Sequence, residues 1–173
     1  MRKFLFLDLD GVLNPFRSAS PPAYLKAYWE KITIPNSSYK VWVNPALGRQ
    51  LTQTCAELGV ELVWATTWVD NPPNLEFYAS RCGLPANLAR ISQTEEFLFD
   101  QTTCGKRPGV EGFLRSHPGA AMFWLDDNLG SHDLAWVASR ATRSPSAASL
   151  VDPALGLTAE HLESCTAFFS GLA

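Results

Sequence analysis

Two aspartates, one residue apart, follow a strongly apolar stretch near the start of the chain. Phe4–Leu7 runs directly into Asp8-Leu9-Asp10-Gly11. An apolar run of this kind predicts a strand that is buried on both faces, as in a parallel sheet. Burying a carboxylate is costly unless it is paired or binds a cation, and open α/β sheets bind ligands at the carboxyl ends of their strands. The pair predicts a site that holds a cation and performs chemistry beside it; the alternative is a plain strand end followed by a turn.

Polar residues also follow two other predicted strands, Val60–Ala65 and Ala120–Leu125. The residues that follow them are Thr66-Thr67 and Asp126-Asp127. In a parallel sheet these strand ends share one edge with the first pair. Lys106 precedes a predicted helix, although spacing alone leaves open which edge it faces. Together these groups offer oxygen ligands for Mg²⁺, a hydroxyl and an ammonium, which is what phosphoryl transfer requires.

The elements that must position these groups alternate between strand-like and helix-like segments. This alternation predicts an α/β fold, a single Rossmann-like domain over residues 1–173 with a mainly parallel sheet and helices on both faces. Asn44-Pro45 predicts the start of a helix that runs to about Leu58 and stops at Gly59. We also expect a short helix over Tyr24–Lys31, a loop over Arg140–Ser149 and, overlapping the end of that loop, a last strand over Ala147–Val151.

Composition limits the class of protein. The 173 residues are 46% hydrophobic and carry a net charge of −3, which argues against a surface that grips nucleic acid everywhere but not against a local basic patch. The four cysteines show no metal-binding spacing, so buried free thiols in a reducing compartment are expected. No apolar run is long enough to cross a membrane, and Asp8 and Asp10 interrupt the start of the chain too early for a signal peptide. We therefore expect a cytoplasmic protein.

The motifs resemble those of the haloacid dehalogenase-like (HAD) superfamily of phosphohydrolases, in the same order. The segment Asp8–Leu13 resembles its first motif and Val63–Thr66 its second, while Lys106 resembles the third-motif lysine and Phe123–Asp127 the fourth motif. The Trp-Ala-Thr-Thr-Trp and Trp-Leu-Asp-Asp pieces resemble the HAD domains associated with RNA-repair proteins.

The resemblance implies a role for each acidic residue. Asp8 would attack phosphorus and carry an aspartyl-phosphate intermediate. Asp10 would protonate the leaving oxygen and later activate water. Mg²⁺ would be held by the Asp8 carboxylate, the Asp10 backbone carbonyl, Asp126 and, close behind it, Asp127. Because Asp10 is present, the resemblance favours phosphate ester hydrolysis over dehalogenation.

The same resemblance assigns the phosphate-binding groups. Thr66 or its rival Thr67 would bind the phosphoryl oxygens together with Lys106, for which Arg107 is the neighbouring alternative. The segments in which this superfamily inserts cap domains are short here, which implies a minimal or absent cap and an open site. An open site suits a large substrate such as a phosphorylated protein or a nucleic-acid end, while a small nucleotide or sugar phosphate stays open.

Other residues have weaker expectations. Trp68 and Asp70 lie just beyond the site edge, where they could touch substrate. The aromatic residues between Phe16 and Trp42 are expected either to pack locally or to stack on a base or sugar. Asn128 is a candidate with an ordinary helix-start role as its alternative, and the three histidines read as surface or helix-end residues.

Two competing functions are weighed against a Mg²⁺-dependent phosphatase. One is a catalytically silent interaction protein that keeps the fold; the complete motif set argues against it. The other is a phospho-accepting receiver domain, which also uses carboxylates, a threonine and a lysine around Mg²⁺. A receiver carries its acceptor aspartate on a middle strand, whereas the middle strand here ends in Thr66.

Overall fold

A five-stranded parallel sheet forms the centre of the molecule. The computed structural model describes residues 1–16, 28–92 and 104–172. The strands of this sheet lie in the order β5-β4-β1-β6-β7. Their bounds are β1 Lys3–Leu7, β4 Glu61–Trp64, β5 Ala89–Arg90, β6 Ala121–Asp126 and β7 Ser146–Leu150, and a separate hairpin pairs β2 Glu30–Thr33 with β3 Lys40–Val43.

Five helices are present in the described part of the chain. They are α1 Pro45–Leu58, α2 Pro72–Cys82, α3 Arg107–Arg115, α4 Ser131–Ala141 and α5 Ala159–Ser170. The ends of α1 are those that the sequence predicts. The Asn44 side chain accepts a hydrogen bond from the Leu47 backbone N–H at 3.1 Å, and Gly59 ends the helix in the left-handed conformation.

The helices cover both faces of the sheet, as predicted. Within β1, Leu5 and Leu7 point into a core formed with α1, α2 and α5, whereas Phe4 and Phe6 point into the core under α3 and α4. All four side chains are fully buried, each contributing on the order of 1.5–3 kcal/mol. The apolar run of the sequence is explained by this position, because a central parallel strand has no face in contact with water.

The carboxyl end of β1 lies where the order of the sheet reverses. The chain proceeds from β1 through β4 to β5 on one side, and returns to place β6 and β7 on the other. Leu7 pairs with Leu125 of β6 and with Trp64 of β4, so the residues that follow these three strands emerge at the same level. A switch point of this kind opens a crevice for ligands at the sheet edge.

In the described residues between β1 and α1, the chain forms the β2–β3 hairpin. It packs Val41 and Val43 into the core shared with α1 and α2. The predicted helix over Tyr24–Lys31 is wrong where the structure describes it, because Glu30 and Lys31 belong to β2 and pair with β3; residues 24–27 lie outside the described ranges. The expectation of a minimal cap stays a prediction, because residues 17–27 and 93–103 lie outside the described ranges.

The last strand and the cysteines can also be compared with what the sequence predicts. The strand predicted over Ala147–Val151 is present as the edge strand β7, Ser146–Leu150, which pairs with β6. The loop predicted over Arg140–Ser149 is therefore wrong at both ends, because α4 includes Arg140 and β7 begins at Ser146. All four cysteines are free and buried, as expected. Across residues 1–16, 28–92 and 104–172, every helix is too short or too polar to traverse a bilayer.

Candidate active site

A buried lysine lies between two buried carboxylates at the switch point. The Lys106 Nζ atom forms ion pairs with Asp8 Oδ2 and, at 2.8 Å, with Asp126 Oδ2. The exposed fractions of these residues are 7% for Lys106, 4% for Asp8 and 0% for Asp126. The edge that Lys106 faces, which the sequence left open, is therefore the edge of the aspartates.

Backbone pairing sets the position of both carboxylates. The Asp8 N–H donates to the Leu125 carbonyl at 3.1 Å, which extends the β1–β6 register to the site, and Asp8 Oδ1 accepts the Leu9 N–H at 2.7 Å. Asp126 is held through Oδ1 by the Asn128 N–H at 3.0 Å. Asn128 thus takes part in the site through its backbone N–H.

The loop that carries Lys106 is tied to the loop after β6. Asp133, which is fully buried in α4, accepts hydrogen bonds from the backbone N–H groups of Cys104 and, at 2.9 Å, Gly130. Lys106 directly precedes α3, so these bonds hold the start of that helix against the site. The sequence gives no signal for this role of Asp133, because Cys104 lies 29 positions away in the chain.

The charges in this cluster do not balance. Burial lowers the pKa of Lys106, but the attraction of Asp8 and Asp126 outweighs burial and leaves its pKa above the usual value. Burial and the Asp126 charge raise the pKa of Asp8 well above its usual value, and Lys106 only partly offsets them. The site therefore has room for further positive charge.

Three carboxylates are close enough to hold a cation. Oxygen atoms of Asp8, Asp126 and Asp127 lie within 4.8 Å of one another. Burial and the Asp126 charge also raise the pKa of Asp127. Clustered oxygen ligands with surplus negative charge fit Mg²⁺, which prefers carboxylate oxygens and keeps several waters. The Asp10 carboxylate lies outside this group of three, so a metal role for Asp10 stays a prediction about its backbone carbonyl.

A separate set of contacts holds the Asp10 carboxylate. Asp10 Oδ2 accepts the Trp68 indole N–H at 2.8 Å, and Asp10 Oδ1 accepts the Asn14 side-chain amide at 2.6 Å. The Asn14 side chain is itself fixed, because its Oδ1 accepts the Trp42 N–H of β3 at 2.8 Å. Trp68 thus bonds directly to the candidate acid, and its contact with substrate stays a prediction. No role for Asn14 was predicted from the sequence. Its position four residues beyond Asp10 is the local signal that could have indicated this hydrogen bond.

The two threonines lie in different surroundings. Thr66 is 1% exposed at the end of β4, and its Oγ1 accepts the Trp68 N–H at 3.4 Å at the start of a short 3₁₀ helix over Thr67–Asp70. Thr67 is exposed. The choice between Thr66 and Thr67 as the phosphate-binding hydroxyl stays a prediction.

Other candidates lie outside the cluster. Arg107, the alternative to Lys106, has its Nε atom 3.3 Å from Glu111 within α3. Asp70 is exposed on the 3₁₀ helix, and Trp64 is a core residue. Neither residue has a described contact with the carboxylate cluster.

The fold and the acidic cluster agree with a family match along most of the chain. Residues 4–162 match the family described as the HAD domain in Swiss Army Knife RNA repair proteins. The chain therefore belongs to this family of HAD domains. No curated protein and no solved structure matches the chain. Membership in a HAD family suggests hydrolase chemistry of the phosphatase type, with which the cluster of aspartates is compatible.

Proposed function

We propose that the protein is a Mg²⁺-dependent phosphatase that hydrolyses a phosphate monoester through an aspartyl-phosphate on Asp8. The observation that carries the proposal is the cluster at the switch point, where Lys106 pairs with Asp8 and Asp126 while Asp127 lies beside them. A phosphoryl group entering this site would meet a carboxylate nucleophile and an ammonium at once.

In the first step an Asp8 carboxylate oxygen attacks phosphorus and the bond from phosphorus to the leaving oxygen breaks. Asp10, in its protonated form, delivers a proton to that oxygen, so the substrate leaves as an alcohol. Lys106 and Thr66 bind the equatorial phosphoryl oxygens. When bound to Asp8, Asp126 and Asp127, Mg²⁺ shields the repulsion between the carboxylate and the anionic phosphate.

In the second step water attacks the phosphorus of the aspartyl-phosphate. Asp10, now ionised, takes the proton from this water, and the bond between phosphorus and the Asp8 oxygen breaks. Phosphate leaves and both carboxylates return to their starting states. The bonds from Trp68 and Asn14 to Asp10 support this alternation, since they hold the carboxylate in one place through both steps.

The substrate is a phosphate on a macromolecule, and we favour the phosphorylated end of a nucleic acid. Where the structure describes the segment between β1 and α1, it forms a small hairpin, which supports an open site. The family description, an HAD domain in RNA repair proteins, points to the same class. A free nucleotide carries the same phosphate ester as a nucleic-acid end and is the small-molecule alternative. The four free cysteines support a cytoplasmic location for the protein, because reducing compartments keep thiols unpaired.

The direct test is release of phosphate from a generic aryl phosphate and from a panel of mononucleotides, sugar phosphates and 3′- and 5′-phosphorylated oligonucleotides. We expect turnover with Mg²⁺, none after chelation, and none in Asp8→Asn. Asp10→Asn should retain more activity on the aryl phosphate, whose good leaving group needs little protonation, than on alkyl phosphates.

Two results would contradict the proposal. Absence of turnover by the wild-type protein over the whole panel would exclude the phosphatase function. Mg²⁺ binding without turnover, together with a stable macromolecular partner, would favour the catalytically silent interaction protein instead.

A further inference from the structure

The place of the leaving group follows from the position of the proton donor. A general acid must come within about 2.6–3.2 Å of the atom that it protonates. The leaving group must therefore lie against the surroundings of Asp10, which are formed by Trp68, Asn14 and Tyr39. Trp68 and Asn14 use their polar groups to hold Asp10, so Tyr39 is the neighbour that still presents an exposed surface.

Tyr39 directly precedes β3, and its carbonyl accepts the Ile34 N–H at 2.9 Å, which continues the pairing of the hairpin. Alternation places Tyr39, Val41 and Val43 on one face of the hairpin. Val41 and Val43 are fully buried in the core, whereas the third member of the row, Tyr39, reaches beyond the core and is 47% exposed. The hairpin therefore places an aromatic ring beside the site, while the burial of Val41 and Val43 holds the hairpin in the core.

Two contacts fix the orientation of Tyr39. Its ring centroid lies 5.9 Å from that of Trp68, tilted by 46°, and Trp68 packs in turn on Tyr78. Its hydroxyl interacts with both Asn14 and Asp10, and burial together with the Asp10 charge raises the pKa of Tyr39. Tyr39 is thus packed against Trp68 near the candidate acid while 47% of the residue stays exposed to solvent.

On the basis of the proposed function, we propose that Tyr39, backed by Trp68, forms a leaving-group subsite that accepts a nucleoside. A ring that is held in place and half exposed gives a base a flat surface for stacking, and stacking on aromatic side chains tolerates any base sequence. A small aliphatic leaving group would make none of the stacking contact.

The test compares kcat/KM for nucleoside 3′- and 5′-monophosphates with kcat/KM for glycerol phosphate. In Tyr39→Ala we expect the ratio of nucleotide to glycerol phosphate to fall about tenfold or more, the scale of one base–aromatic stack. Tyr39→Phe keeps the ring and should restore most of the ratio. Tyr28→Ala, which removes another exposed aromatic that has no described contact with Asp10, is the matched control and should leave the ratio at its wild-type value.

The outcomes separate this inference from the phosphatase itself. An unchanged ratio in Tyr39→Ala, whether both rates fall together or neither does, would overturn the subsite. If the wild-type protein hydrolyses neither of these two substrates, calorimetric binding decides the subsite, and the phosphatase proposal fails only when the whole substrate panel shows no turnover. Tighter binding of a nucleoside monophosphate than of inorganic phosphate, lost in Tyr39→Ala, would support it, and equal binding of the two by the wild type would refute it.

Discussion

Lys106 shows how much of this site depends on one side chain. Its ammonium lies between Asp8 and Asp126, and all three residues are buried. A buried ion pair adds little net stability over an apolar packing of the same shape, but removing one partner is costly because the other charge is left uncompensated. Lys106 therefore has a structural role in addition to its proposed phosphate-binding role.

We expect Lys106→Met to lower the free energy of unfolding by about 3–5 kcal/mol near neutral pH, the scale found when a buried pair is broken. Urea unfolding measures this change. Arg2→Met is the matched control, because Arg2 pairs with Glu61 at 2.7 Å in an exposed position, where solvent screens the pair. A cost for Lys106→Met as small as that of the control would show that Asp8 and Asp126 need no buried cation.

At the scale of elements, the loop after β1 joins the two halves of the site. Gly11 turns the chain with φ of +76°, and its N–H donates to the Asn14 carbonyl at 2.9 Å. Its Cα lies against the Asp127 carboxylate, so that a side chain at position 11 would overlap Asp127. The glycine thus allows the Asp8–Asp10 loop and the Asp126–Asp127 loop to approach each other.

Alanine variants of Gly59 and Gly11 separate the effect of a left-handed backbone from that of the contact between Gly11 and Asp127. Gly59 has φ of +63° with open space around it, so Gly59→Ala should cost about 1–2 kcal/mol from the left-handed conformation alone. Gly11→Ala should cost more and also weaken Mg²⁺ binding, because Asp127 must move. Denaturant unfolding and calorimetric Mg²⁺ titration measure the two effects. Equal unfolding costs with unchanged Mg²⁺ affinity would show that Gly11 is required only for its φ angle.

At the scale of the whole molecule, the site makes folding sensitive to pH. The folded-state pKa of Asp8 is raised above its usual value of 3.8, and that of Asp127 is raised too, both chiefly by burial. A carboxyl with a raised folded pKa contributes stability that is fully present below its unfolded pKa. That contribution is lost as pH rises through the folded pKa, since ionisation is harder in the native state.

We therefore expect bound Mg²⁺ to stabilise the protein more at about pH 8 than at about pH 5, because the ionised carboxylates bind it best. Thermal unfolding at both pH values, with chelator and with excess Mg²⁺, measures the difference. The pH dependence in chelator should be smaller in Asp8→Asn. Equal Mg²⁺ stabilisation at the two pH values would contradict an excess of buried negative charge at this site.

Local signals account for the elements that sequence reasoning located well. The ends of α1 were predictable because Asn44, Pro45 and Gly59 act on their own neighbours. Pairing decided the element that was missed. Residues Glu30 and Lys31, which were predicted as helix, form a strand because β3 lies beside them.

By itself, the sequence determined that apolar strands end in Asp8, Thr66 and Asp126, and that these ends share one edge of a parallel sheet. That much follows from the order of residues and from the geometry of parallel strands. The tertiary structure alone decided that Lys106 pairs with Asp8 across 98 positions of the chain and that Trp68 binds Asp10 across 58. Such contacts depend on how separate elements pack, so no spacing along the chain encodes them.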